Sequence, residues 1–157
     1  MRLVSCFLIA AVTTLAGASQ AIESLTGTYE GKYRCSALYN GEKTAAKGKD
    51  EVWYIDDLGD GNVYLHLAPG GSWKYHGWLE VDAQKPAEGI VGFADCGIQS
   101  GYPQGEVRVL RVKTSPGKLK AVLKGTGVGF RSFGAQVCSL TMTRTTTTIP
   151  ALDSACP

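Results

Sequence analysis

The sequence predicts an all-β chain, a single antiparallel up-and-down β-barrel of about eight strands stabilised by disulfides. Three observations predict it. Short runs rich in β-branched and aromatic residues alternate apolar with polar at a period of two, recur between Gly- and Pro-containing turns, and are not interrupted by any long amphipathic helical pattern. Thr26 to Cys35 (TGTYEGKYRC) sets Gly27, Tyr29, Gly31, Tyr33 and Cys35 on one face and Thr28, Glu30, Lys32 and Arg34 on the other. Glycines on the apolar face of a strand mark bends and close backbone approaches, as a curling sheet requires. Beyond the first 21 residues four cysteines remain, Cys35, Cys96, Cys138 and Cys156, an even number that reads as two disulfides in an exported chain.

Met1 and Arg2 lead an uncharged run from Leu3 to Leu15, which reaches small residues at Ala16, Ala18 and Ala21. That is the pattern of a secretory signal peptide. Cleavage after Ala18 or after Ala21 fits the small-residue rule, and Ala21 is favoured because the β pattern starts soon afterwards. The apolar run is shorter than the ~20 residues of a spanning helix, so no membrane span is expected after cleavage. The expected organisation is 1–21 signal peptide, 22–148 barrel and 149–157 a tail tied by Cys156, with a periplasmic or secreted location. Of 16 basic residues only Arg2 leaves with the leader, against 14 acidic ones. Charges so balanced and so scattered give no electrostatic reason to bind nucleic acid or an anionic membrane.

Taken in order, Ser36 to Lys49 is a polar connection without a clear period, a short helix or a loop. Asp50 to Ile55 (DEVWYI) is a strand. Asp56 to Gly61 (DDLGDG) resembles a calcium loop, but Leu58 and Leu67 occupy positions where that loop needs oxygen donors. Asp-Gly between alternating runs signals a hairpin instead. Asn62 to Ala68 opposes Val63, Leu65 and Leu67 to Tyr64 and His66. After Pro69-Gly70-Gly71, Trp73 to Val81 puts Trp73, Tyr75, Gly77, Leu79 and Val81 on a dry face and Lys74, His76, Trp78 and Glu80 on a wet one. Gly89 to Ala94 is a strand apolar on both faces. Glu106 to Thr114 (EVRVLRVKT) alternates with a phase shift near Val109-Leu110, as a β-bulge or strong twist would give. Lys118 to Lys124 (KLKAVLK) turns Leu119, Ala121 and Leu123 inward. Gly125 to Gly134 (GTGVGFRSFG) lacks the flanking strand, helix and lysine of a phosphate-binding loop and is read as a Gly-rich bend at a barrel rim. Ala135 to Arg144 is the last strand, with Cys138, Leu140 and Met142 on one face.

The opening LTGTYEGKYRC and the late QVCSLTMTRT resemble the first and last strands of small exported bacterial proteins with calycin-like (lipocalin- or avidin-like) barrels. The resemblance covers the two ends of the chain. It implies a barrel whose mouth or interior receives a small apolar ligand. The chain departs from the lipocalin pattern in having Gly27-Thr28-Tyr29 where G-x-W is usual, and in showing no C-terminal helix.

The closed barrel also predicts how the cysteines pair. First and last strands are then antiparallel neighbours, so the end of one lies beside the start of the other. Cys35 is expected to bond Cys138, leaving Cys96 for Cys156.

Little in the sequence points to catalysis. The only histidines, His66 and His76, fall on predicted wet faces and are read as surface residues. No C-x-x-C pair exists and the cysteine spacings are too long for a zinc site, so neither metal nor cofactor is expected and no catalytic residue is assigned. Tyr29, Tyr33, Trp53, Trp73 and Tyr75 are the ligand-binding candidates, since apolar walls with a few polar tips build small-molecule pockets. With Phe93, they can equally fill the barrel. Trp78, among Lys74, His76 and Glu80, is the partner-binding candidate. The expected function is non-catalytic binding, with a small apolar ligand ahead of an exported protein partner. The alternative is a protein-interaction or hydrolase-inhibitor module using loops and exposed aromatics.

Overall fold

The computed structural model describes residues 22–67, 74–96, 105–115, 119–131, 134–152 and 156. Residues 1–21, read above as a signal peptide, and Trp73 lie outside them. Eight strands run in order: β1 (Gly27–Tyr39), β2 (Glu42–Gly59), β3 (Asn62–Leu67), β4 (Lys74–Val81), β5 (Glu88–Asp95), β6 (Gly105–Thr114), β7 (Ala121–Arg131) and β8 (Gly134–Thr146). Each pairs with the next, and β8 returns to β1 to close the barrel. The expected all-β, up-and-down barrel is the fold. The end at which β1 begins is called lower, and the end at which β1 turns into β2 is called upper.

Three stretches correct the sequence reading. Ser36 to Lys49 is neither helix nor loop: β1 and β2 run through it, joined by Asn40-Gly41. Their φ values of 49° and 84° give two consecutive left-handed residues, the turn whose twist matches that of the strands it joins. The expected Asp60-Gly61 hairpin has the same form, with φ of 52° and 82°. Gly125 to Arg131 is also strand rather than a bend at the rim, the second half of β7. β6, finally, carries no bulge, because its registers with β5 and β7 are continuous. The bulges fall between Gly31 and Tyr33 against β2, between Thr28 and Tyr29 against β8, and between Asp57 and Gly59 against β3.

Both disulfides are as expected, Cys35–Cys138 and Cys96–Cys156. Cys35 and Cys138 are direct cross-strand partners, with Cα atoms 4.0 Å apart.

The lower end is packed and capped. Tyr29, Ile55, Val63, Val91, Phe93, Leu110, Leu123 and Met142 form its core, and the segment before β1 folds over it with Leu25 fully buried. Leu25 N–H donates to Asp57 Oδ2 at 2.8 Å, and Tyr29 Oη donates to the Leu25 carbonyl at 2.7 Å. Arg144, only 6% exposed, donates from Nε to the Leu119 carbonyl at 2.7 Å. Its Nη1 donates to the carbonyls of Ser24 at 2.7 Å and Thr26 at 3.3 Å. A guanidinium shared among three backbone carbonyls thus ties the leading segment and the β6–β7 connection across this end. Leu119, expected inside, is exposed there, since β7 begins only at Ala121.

Candidate functional site in the upper barrel

The alternation of β6 runs unbroken from Glu106 to Thr114. Residues two apart on a strand share a face, so Leu110, Val112 and Thr114 inside carry Glu106 and Arg108 inside with them, while Val107 and Val109 face out. An ion pair on the inner face of a small barrel is costly to desolvate. It is held by a dense set of partners.

The Arg108 guanidinium lies between two rings, its Cζ 4.6 Å from the Trp53 centroid and 4.5 Å from that of Tyr75. Desolvated cation–π contacts of this kind are worth about 2 kcal/mol each. Arg108 Nη2 donates to Glu106 Oε2 at 3.0 Å and to Tyr75 Oη at 2.9 Å, and Tyr75 Oη donates to the same Oε2 at 3.3 Å. Arg108 Nε lies 2.9 Å from Glu106 Oε1, an ion contact set off the line of a hydrogen bond. Burial pushes the Tyr75 phenol well above its ordinary range; the Arg108 charge opposes the shift and that of Glu106 adds to it. The backbone opposite makes room for the pair: Gly127 is the β7 partner of Arg108. A Cβ on Gly127 would collide with the Glu106 carboxylate and come within 3.0 Å of Arg108 Cγ.

Above this cluster is a cavity of about 250 Å3, lined by Tyr33, Trp53, Leu67 and Tyr75, by Glu51, Glu106 and Arg108, and by Gln136 beside the Cys35–Cys138 bridge. Of the five aromatic candidates, Tyr33, Trp53 and Tyr75 come together around it. Tyr29 does not, being part of the lower core, and Trp73 is not among the described residues. Trp78 stands on the outer face at 58% exposure, with Gly61 beneath its ring.

Glu106 and Arg108 are missed by the sequence reading, whose phase shift near Val109-Leu110 the strand does not have. The signal that finds them is the single period-two register fixed by Leu110 and Val112.

The histidines also require correction. His66 is buried, not a surface residue. His76 is half-buried and stacks on Tyr64, centroids 5.0 Å apart, with its Nε2 3.4 Å from Asn62 Oδ1. Among the described residues no three His, Cys, Asp or Glu side chains converge as metal ligands would, and no helix is long and apolar enough to cross a membrane.

Compared with family models, with curated proteins and with solved structures, the chain has no match.

Proposed function

We propose that this chain is an exported, non-catalytic binding protein that takes a small, largely apolar molecule into the upper cavity of its barrel. The observation that carries the proposal is the gathering of Tyr33, Trp53 and Tyr75 around one cavity of about 250 Å3. That volume falls just below the usual range of small-molecule pockets, which begins at about 300 Å3, so the ligand is small. Two disulfides and the signal-peptide pattern support a periplasmic or secreted location. The calycin-like resemblance of the two chain ends supports the same use of the interior. Native mass spectrometry of the protein purified from its own host is expected to show a retained small molecule, released on unfolding.

A second reading, a protein-interaction module, is favoured by the exposure of Trp78 on the outer face of β4, with Ile90, itself half-exposed, two residues from its β5 partner Gly92. A bare apo mass, with an exported protein partner that co-purifies and is lost in Trp78→Ala, would reverse the order of the two.

A further inference from the structure

We infer that the outer face of β6, β7, β8 and β1 docks on the surface of a bilayer that carries anionic lipid, with the apolar upper part of the face set among the headgroups. The inference goes beyond the cavity and does not depend on what fills it. Six apolar side chains, Leu38, Val107, Val109, Val128, Phe130 and Val137, stand on this face, each between 41% and 54% exposed. The register makes them one patch. Val107 is partnered by Val128 and Val128 by Val137, while Phe130 and Leu38 flank Ala135 in the row above. Single exposed apolar residues are ordinary on a protein surface, but a contiguous group of them marks a contact.

The charge beside the patch decides what it meets. In the next row toward the lower end Val109, Thr126, Ser139, Arg34 and Lys47 are successive partners, and in the row after that Arg111, Lys124, Thr141 and Lys32. All five cations are exposed, and none forms an ion pair among the described residues. No carboxylate stands in these rows; Glu30, Glu42 and Asp50 fall outside them. A hollow of about 710 Å3 on the same face is lined by Lys32, Arg34, Lys47 and Lys49 with Ser139 and Thr141, and by no carboxylate. Cations and hydroxyls are the groups that receive a lipid phosphate. Charges scattered along the sequence are thus gathered by the register, whereas Asp56, Glu80 and Glu88 stand on the outer faces of β2, β4 and β5. An anionic lipid surface satisfies the patch and the basic rows together, since basic residues beside exposed apolar ones are what hold a protein in the headgroup layer. A second copy would press like charges together across an isologous contact. A soluble polyanion would leave the six apolar side chains in water.

Vesicle flotation tests this. The mature, oxidised protein is mixed with vesicles of phosphatidylcholine alone, or of phosphatidylcholine and phosphatidylglycerol in equal parts. Binding to the anionic vesicles is expected to be about tenfold or more tighter, and to fall as salt is raised. Lys32→Gln and Lys124→Gln are each expected to weaken it about fivefold, the share of one basic side chain at such a surface. Val128→Thr with Val137→Thr, which keeps β-branched residues on both strands, is expected to weaken it about tenfold. Trp78→Ala, on the outer face of β4, should leave it unchanged. Equal binding to both kinds of vesicle, or to neither, would overturn the inference. So would a loss in Trp78→Ala as great as in the valine variant, which would move the contact to another face. Binding to polyphosphate as tight as to the vesicles, with the valine variant unimpaired, would make the basic rows a site for a soluble polyanion and overturn the lipid surface. A lipid-free dimer that the valine variant dissociates would make the face an interface between copies, with the same result.

Discussion

Among the described residues the barrel buries one arginine toward each end, and the two are used differently. Arg144 and Arg108 are 6% and 8% exposed, both on inner faces, both inside the same eight strands. Arg144 has no carboxylate against it in its hydrogen bonds; its Nε and Nη1 go to backbone carbonyls of the two segments that cap the lower end. Arg108 is held by one carboxylate, one phenol and two ring faces, and its side chain lines the upper cavity. Burial alone therefore does not mark a site. What separates the two cations is their setting: Arg144 ties down the segments that cap the packed end, and Arg108 stands in the wall of a cavity.

Substitution tests that contrast directly, and the largest effect is expected from the pair. Arg108→Met alone leaves Glu106 buried without its counter-ion and should lower the urea-unfolding free energy by about 3–5 kcal/mol. Adding Glu106→Met should restore most of that, because a buried pair replaced by apolar groups of similar size is close to neutral. Arg144→Met should cost about 2–4 kcal/mol, less than three fully buried carbonyls left unmet at about 1–3 kcal/mol each would give, because Ser24 and Leu119 are exposed enough for water to replace the guanidinium, and no second substitution of a carboxylate should restore it. If the double variant at 106 and 108 stays as unstable as the single one, the two arginines are alike and the contrast fails.

Gly127→Ala probes the upper end more gently. Its new methyl would press on the Glu106 carboxylate, and overpacking of this kind costs about 1–3 kcal/mol. The same substitution in the Glu106→Met, Arg108→Met background has no carboxylate to meet, and the penalty should shrink by at least half.

The smallest effect lies at alkaline pH, and it compares the ends through their tyrosines. Burial raises both Tyr29 and Tyr75 above the ordinary 10.0. A group whose folded pKa is raised contributes stability that is complete below its unfolded pKa. That contribution is lost as pH climbs from about 10 toward the folded value, because the unfolded chain releases its proton first. Stability should thus fall above about pH 10. Tyr29→Phe and Tyr75→Phe should each flatten the fall, and each should remove one late-ionising phenol from an ultraviolet difference titration. A neutral-pH cost of about 1 kcal/mol is expected for the lost hydrogen bond of Tyr29 to the Leu25 carbonyl.

The fold was legible where alternation was clean. TGTYEGKYRC gave the inner face of β1, and barrel closure alone predicted the pairing of Cys35 with Cys138. It was illegible where the outer and inner faces of a strand are both polar or both small. Ser36 to Lys49 has no apolar face, because this part of β1 and β2 stands largely exposed, although Asn40-Gly41 announced the turn between them. Gly125 to Arg131 reads as a loop because Gly127 and Gly129 face inward and supply no side chain to count; their absence of a Cβ is what admits Glu106, Arg108 and Gln136. The candidate site was half legible. Tyr33, Trp53 and Tyr75 are named from composition and position, whereas the phase shift read near Val109-Leu110 hides that Glu106 and Arg108 share the inner face of Leu110 and Val112.

The Cys35–Cys138 bridge lies across the seam between the first and last strands, the contact with the greatest separation along the chain. Pairings such as β6 with β7 need only a short turn, but the seam must bring together segments 103 residues apart, so its loop-closure entropy is the largest in the fold. Oxidation makes that meeting permanent. A reduced chain can part at the seam into a sheet with two long unpaired edges, templates for adding a strand from another molecule. In the oxidised chain there is no edge to offer: the bond turns a curled ribbon into a hoop, and protection from cross-molecule pairing then depends on one covalent link rather than on the summed strength of the ladder beside it.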